Sequence, residues 1–240
     1  THPFGGAVSA DPGTLLTAFL NGFPDAVKIT RPDHTLVACN QAEEEELRRL
    51  GIETPCRRIP WGVELPAREN LPSRQRLAQF WPMLADRPFI LFLSRLHPKK
   101  GLDLLIPAFA EVSPAFPQWL LVLAGPDEGG YQQVLAKMVQ EADLEQRVVF
   151  TGLVTGESKA ALLSHAEVFT LPSYSEGFPM VVAEALGYAR PLILTTPCYV
   201  PEVGREGAGL EIPTEKKALV AALGQMLGDG QLRQQCSARA

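Results

Sequence analysis

Two carboxylates, Glu176 and Glu184, frame the start of a predicted helix in the stretch 171–188. Pro179 suits the first position of a helix, where its missing N–H costs no hydrogen bond. The free N–H groups at such a helix start attract phosphate oxygens. Ionised carboxylates accept hydrogen bonds from hydroxyl groups. The stretch therefore suits a ligand that carries both phosphate and hydroxyl groups, such as a nucleotide sugar.

A purely structural interpretation of the two acids is also open, because an acid favours a helix N-terminus and a second one is commonly solvated. The spacing Glu-x7-Glu within SEGFPMVVAEAL nevertheless resembles that of retaining glycosyltransferases of family 4 (group 1), which have the two-domain GT-B fold. The resemblance implies that Glu184 binds the ribose hydroxyls and that Glu176 contacts the transferred sugar. It assigns the backbone of Gly177, Phe178 and Pro179 to the sugar and phosphate.

A cationic turn, SRLHPKKG at residues 94–101, follows the apolar run 89–93. Taken alone, a basic turn is more often a solvated loop. Its Arg95 and Lys100, in the spacing Arg-x4-Lys followed by Gly, resemble the family's diphosphate-binding pair. Two fixed cations stabilise the negative charge that develops on a departing nucleoside diphosphate. We expect His97 to be exposed.

The remaining predicted ligand contacts are less specific. By resemblance, Leu153 and Val154 in TGLV hold the nucleotide base, although an ordinary strand exit explains these side chains equally well. The Gly-rich turn 124–130 is expected to be tight and to face the ligand. Tyr174 and Tyr199 are expected to pack or to line the rim.

No metal and no cofactor is predicted. The sequence contains no Asp-x-Asp, the arrangement by which another large glycosyltransferase class holds a divalent ion. The four cysteines show no Cys-x-x-Cys spacing, and His2 lacks a motif that would support a catalytic role.

Composition limits the partners. A net charge of −5 argues against a general nucleic-acid binder. The longest apolar runs are far shorter than the roughly 20 residues of a membrane span, and no signal peptide is recognised. We expect a cytoplasmic protein, with peripheral membrane contact left open.

Alternating apolar runs and helical patterns predict an α/β fold with a doubly wound, Rossmann-like parallel sheet. The predicted strands are residues 89–93, 119–124, 148–151, 167–171, 191–195 and 209–212. The predicted helices are residues 73–80, 101–112, 131–143, 157–165, 179–186 and 215–227, followed by a polar tail.

Residues 1–62 are predicted to be a remnant of an acceptor-binding domain, and residues 63–240 a donor-binding domain. The early part contains a predicted strand at 34–40 and a predicted helix at 41–50. The segment 57–66 resembles the family's interdomain crossover, with Trp61 where Asn is expected. The chain begins at Thr1 rather than Met, so we expect upstream sequence to be missing.

The leading hypothesis is a metal-independent, retaining glycosyltransferase that moves a sugar from a nucleotide-diphosphate donor to a hydroxyl of a glycan, a lipid-linked acceptor or a small molecule. Two alternatives stay open. One is a fragment that binds the nucleotide sugar without transferring the sugar. The other is a nucleotide-sugar epimerase with the same fold.

Overall fold

The computed structural model describes residues 68–177 and 179–240, together with the backbone of two short strands, β1 (Ile29–Thr30) and β2 (Leu36–Ala38). These two strands pair antiparallel, and β2 falls within the strand predicted at 34–40. The predicted helix at 41–50 and the crossover at 57–66 lie outside the described residues.

Contacts divide the chain into two units. The larger one comprises residues 63–175 and 180–240, and the smaller one comprises residues 1–62 with 176–179. The interpretation of the first 62 residues as a remnant of an acceptor-binding domain stays a prediction.

Six parallel strands form the sheet of the larger unit and confirm the predicted fold class. They are β3 (Phe89–Leu93), β4 (Leu120–Ala124), β5 (Val148–Gly152), β6 (Val168–Leu171), β7 (Leu192–Thr195) and β8 (Gly209–Ile212). Each lies within one residue of its predicted ends. Every residue of β3, β4, β6 and β7 is buried, as expected of strands covered on both faces.

Eight described α-helices accompany the sheet. They are α1 (Arg74–Phe80), α2 (Leu102–Val112), α3 (Tyr131–Glu141), α4 (Gly156–His165), α5 (Met180–Gly187), α6 (Glu202–Arg205), α7 (Lys216–Gly228) and α8 (Gly230–Arg239). Helix α5 begins one residue later than predicted, so Pro179 immediately precedes it. None of the described helices has the length and apolarity needed to cross a membrane.

The tail is polar and largely exposed as predicted, but it forms helix α8, which was not predicted. Asp229 caps this helix, since its Oδ1 accepts a hydrogen bond of 2.9 Å from the backbone N–H of Leu232. Such a side-chain cap satisfies one of the N–H groups that a helix start leaves without an intrahelical partner. The four-residue α6 was not predicted either.

The order of the strands is β5-β4-β3-β6-β7-β8. The chain therefore winds outward from β3 in one direction and from β6 in the other. In such sheets ligands bind beyond the carboxyl ends of the strands, where the winding direction reverses. The reversal brings the cationic turn 94–101 after β3 next to the loop 172–175 after β6.

The backbones of these two segments touch at Gly101. This residue has a left-handed φ of 70°, and a Cβ atom placed on it would overlap the carbonyl oxygen of Pro172. Gly129 has almost the same φ, 68°, but open space around its Cβ position. Gly101 is therefore required for the close approach as well as for its conformation.

We expect Gly101→Ala to destabilise the protein more than Gly129→Ala does. The control substitution introduces only a strained backbone, which costs about 1–2 kcal/mol. The substitution at Gly101 adds a steric overlap with fixed backbone, so we expect a loss above about 3 kcal/mol. Urea denaturation of both variants measures the difference, and equal losses would show that the two segments are not in contact.

Candidate functional site

The cationic turn is built from a short 3-10 helix, Pro98–Lys100, which ends at Gly101. The Nδ1 atom of His97 accepts a hydrogen bond of 3.0 Å from the backbone N–H of Lys99 and so caps this helix. His97 is half-buried rather than exposed as predicted. The two lysines differ sharply, since Lys99 is exposed whereas Lys100 is only 6% exposed.

Backbone hydrogen bonds join the cationic turn to the loop that follows β4. The N–H of Ser94 donates to the carbonyl of Ala124 (3.0 Å), and the N–H of Leu96 donates to Pro126 (2.8 Å). Leu96 in turn accepts from the N–H of Glu128 at 3.3 Å. Parallel pairing thus continues beyond the ends of β3 and β4, and it fixes the first half of the cationic turn.

Arg95 forms an ion pair that the sequence did not predict. Its Nη1 donates to Oε1 and Oε2 of Glu128 at 2.9 and 2.8 Å. The two side chains are 37% and 41% exposed, and pairs of this exposure contribute about 0–1 kcal/mol. The pair therefore orients the guanidinium without locking it in place.

The loop after β6 holds the other side of the cationic turn. The N–H of Tyr174 donates to the carbonyl of Lys99 at 2.8 Å. On the opposite side of the loop, Oγ1 of the buried Thr195 donates to the carbonyl of Ser173 at 2.6 Å. The turn that carries Arg95 and Lys100 is therefore fixed by backbone contacts from two neighbouring loops.

Tyr174 adds a side-chain contact at the same place. Its hydroxyl donates to Oδ2 of Asp103, on the first turn of α2, at 2.8 Å. Burial, the hydrogen bond to Asp103 and the charge of that carboxylate together raise the pKa of Tyr174 to about 12. Its side chain is 43% exposed, and its position at the rim of a ligand site stays a prediction.

Glu184 lies on α5 and is paired with Lys159 on α4. The Nζ of Lys159 donates to Oε1 of Glu184 at 2.6 Å, and the side chains are 31% and 28% exposed. Burial and the nearby Glu184 carboxylate raise the pKa of Tyr188, one helical turn further along. Lys159 was not among the predicted site residues, because a lysine on a helix carries no distinctive sequence signal.

The other predicted site residues have contrasting environments. Leu153 is 70% exposed, whereas Val154 is buried, so only the Leu153 side chain is available to a base. Glu176 is buried at 5% exposure, and Gly177 and Pro179 are buried too. Phe178 and His2 lie outside the described residues.

The structure places Arg95 and Lys100 on one turn, beside the loop after β6. It places Leu153 after β5 and Glu184 on α5. That these four residues and Glu176 line a single cleft stays a prediction.

Comparison with known proteins identifies relatives of the chain. Residues 73–240 match the family model described as Glycosyl transferases group 1. A D-inositol 3-phosphate glycosyltransferase of Kineococcus radiotolerans is 33% identical over 229 residues, which cover 85% of this chain and 52% of that protein. A GDP-mannose-dependent alpha-(1-6)-phosphatidylinositol monomannoside mannosyltransferase of Mycolicibacterium smegmatis is 33% identical over 158 residues. This match covers 61% of this chain and 40% of that protein.

Among solved structures, a sucrose-phosphate synthase from Thermosynechococcus elongatus superposes with a TM-score of 0.69 and 27% identity. The match covers 85% of this chain and 52% of that one. The chain thus spans about half the length of these relatives, or less.

The raised pKa of Tyr174 is open to a direct test. The phenol should ionise near pH 12, and Asp103→Asn should lower this midpoint, although burial keeps it above the ordinary value of about 10. Because the pKa of Tyr174 is higher in the folded than in the unfolded state, the protonated phenol stabilises the fold fully below pH 10. This contribution disappears as the pH rises through 12. Ultraviolet titration of the protein minus that of Tyr174→Phe isolates this phenol. An unchanged midpoint in Asp103→Asn would contradict the contact.

Proposed function

Because the chain belongs to the group 1 glycosyl transferases, we propose that it binds a nucleotide-diphosphate sugar and moves the sugar to a hydroxyl acceptor with retention of configuration. The acceptor is a glycan, a lipid-linked molecule or a small molecule. The proposal requires neither a metal ion nor a cofactor.

The observation that carries the proposal is the location of the cationic turn. Arg95 and Lys100 follow β3 at the point where the sheet reverses its winding direction. An anionic ligand in that crevice meets two cations on a turn whose backbone is held from both sides. Charges carried on a fixed backbone need little reorganisation when the charge of the ligand changes, which favours electrostatic catalysis.

The proposed chemistry assigns one task to each group. When the bond between the anomeric carbon and the β-phosphate oxygen breaks, negative charge accumulates on the departing diphosphate. Arg95 grips two of its oxygens, and Lys100 acts as a point charge. Because these contacts strengthen as the charge develops, they lower the barrier instead of only tightening binding.

The nucleoside end of the donor is proposed to lie toward β5 and α5. The exposed side chain of Leu153 and the backbone at Val154 take the base, and Glu184 accepts the ribose hydroxyls. Glu176, Gly177, Phe178 and Pro179 are assigned to the sugar and phosphate. Support for this part comes from the sequence motif and the family match.

Titration with UDP and GDP tests the donor site. We expect Arg95→Ala, Lys100→Ala and Glu184→Ala each to weaken binding of the preferred diphosphate by about tenfold or more, since each removes a charge-assisted hydrogen bond. Lys99→Ala is the matched control, because this exposed lysine is the neighbour of Lys100 in the same turn. It should weaken binding by less than about threefold.

The outcomes of this titration, and of a turnover assay with the nucleotide sugars, are distinct. No binding by the unsubstituted protein, or binding indifferent to the first three substitutions, contradicts the proposal. If the diphosphates bind but no sugar is transferred to any acceptor, the chain is a donor-binding fragment. Conversion of the donor sugar without an acceptor would indicate an epimerase.

A further inference from the structure

The ion pair between Lys159 and Glu184 joins two helices that are separated in the chain by strand β6. Each side chain is about one-third exposed, so the pair lies at the surface without being fully solvated. The ammonium of Lys159 lies 2.6 Å from the carboxylate of Glu184, the residue predicted to bind the ribose, so the pair can affect how the donor binds.

Local contacts fix the start of helix α4, which carries Lys159. The hydroxyl of Ser158 accepts from the N–H of Thr155 (3.2 Å) and donates to the carbonyl of the same residue (2.8 Å), which secures the start of α4. Lys159 follows directly on this first turn. The acid of that turn, Glu157, receives two hydrogen bonds of 2.7 Å from Arg76, on α1.

These bonds have an electrostatic consequence. The hydrogen bonds from Arg76 hold the pKa of Glu157 below its ordinary value. The carboxylate nearest to Lys159 along the chain is thus bound by a different cation. The Lys159 ammonium is directed to Glu184 instead.

The pair leaves part of the Glu184 carboxylate available. A carboxylate has two oxygens and about four acceptor positions. Lys159 bonds Oε1, and among the described residues no donor bonds Oε2. A glutamate has three side-chain torsions, and holding them before the ligand arrives reduces the ordering cost of binding.

We propose that Lys159 is the positioning residue of the donor site: it holds Oε1 of Glu184 so that Oε2 accepts the ribose hydroxyls of the nucleotide. This inference rests on the proposed function. It goes further in naming a residue through which the site distinguishes a ribonucleotide from its 2′-deoxy counterpart. Lys159 itself does not contact the donor in this arrangement.

The experiment compares UDP and GDP with 2′-deoxy-UDP and 2′-deoxy-GDP. The unsubstituted protein should bind its preferred ribonucleotide about tenfold more tightly than the deoxy form, the effect of one hydrogen bond to a charged group. In Lys159→Met this ratio should fall to about twofold or less, mainly by loss of ribonucleotide affinity. Lys159→Arg, which keeps a cation at the same place, should restore most of the ratio.

Two controls accompany this comparison. Lys137→Met removes a lysine that pairs with Glu141 at 3.6 Å on the exposed face of α3, and it should leave both affinities unchanged. In a Glu184→Gln background, Lys159→Met should have little further effect on the ratio, since the two residues act as one unit.

Three results would overturn the inference. An unchanged ratio in Lys159→Met would mean that the pair is only structural. Equal losses for ribonucleotide and deoxynucleotide would mean that the ammonium binds a phosphate directly. Failure of Lys159→Arg to restore the ratio would exclude positioning by charge. All three presuppose that the unsubstituted protein binds UDP or GDP, so a failure of the proposed function is recognised separately.

Discussion

The backbone contact between Gly101 and Pro172 sets the distance between the two loops at the reversal point of the sheet. Parallel neighbouring strands bring their following loops together, but strand pairing alone does not determine how closely these loops approach. At Gly101 the absence of a side chain and the left-handed φ allow backbone to meet backbone. The hydrogen bond from Tyr174 to the carbonyl of Lys99 then ties the same two segments. The position of Arg95 and Lys100 depends on this contact.

Charge pairing is the second constraint. Two of the residues predicted to bind the nucleotide sugar are held in ion pairs. Arg95 pairs with Glu128, and Glu184 pairs with Lys159. An uncompensated charge on a partly buried side chain is unfavourable, and a partly exposed ion pair removes this penalty at a net gain of about 0–1 kcal/mol. The two pairs therefore orient these side chains before any ligand binds.

The strands were predictable because they are short apolar runs, and the main helices were predictable because the sequence marks their ends. Helix α8 was not, since Cys236 is its one buried residue and its start depends on the Asp229 cap. The ion pairs were beyond prediction for a different reason. Glu128 is 33 residues from Arg95 and Lys159 is 25 residues from Glu184, so their contacts exist only through the winding of the sheet. The motifs led to a prediction of which residues face the ligand, but they carried no signal for the partners that orient these residues.

The two lysines of the cationic turn differ in a way that a spacing motif does not explain. Lys99 and Lys100 are identical in type and adjacent in the chain, yet one is exposed and the other buried. Their difference arises from the 3-10 helix. His97 caps this helix at its start, and the helix ends at Gly101, which has a left-handed conformation. Rotation along that helix turns successive side chains in different directions. The Arg-x4-Lys spacing assigns diphosphate binding to Lys100 only by resemblance. The capped turn gives the physical reason why the two side chains differ in burial.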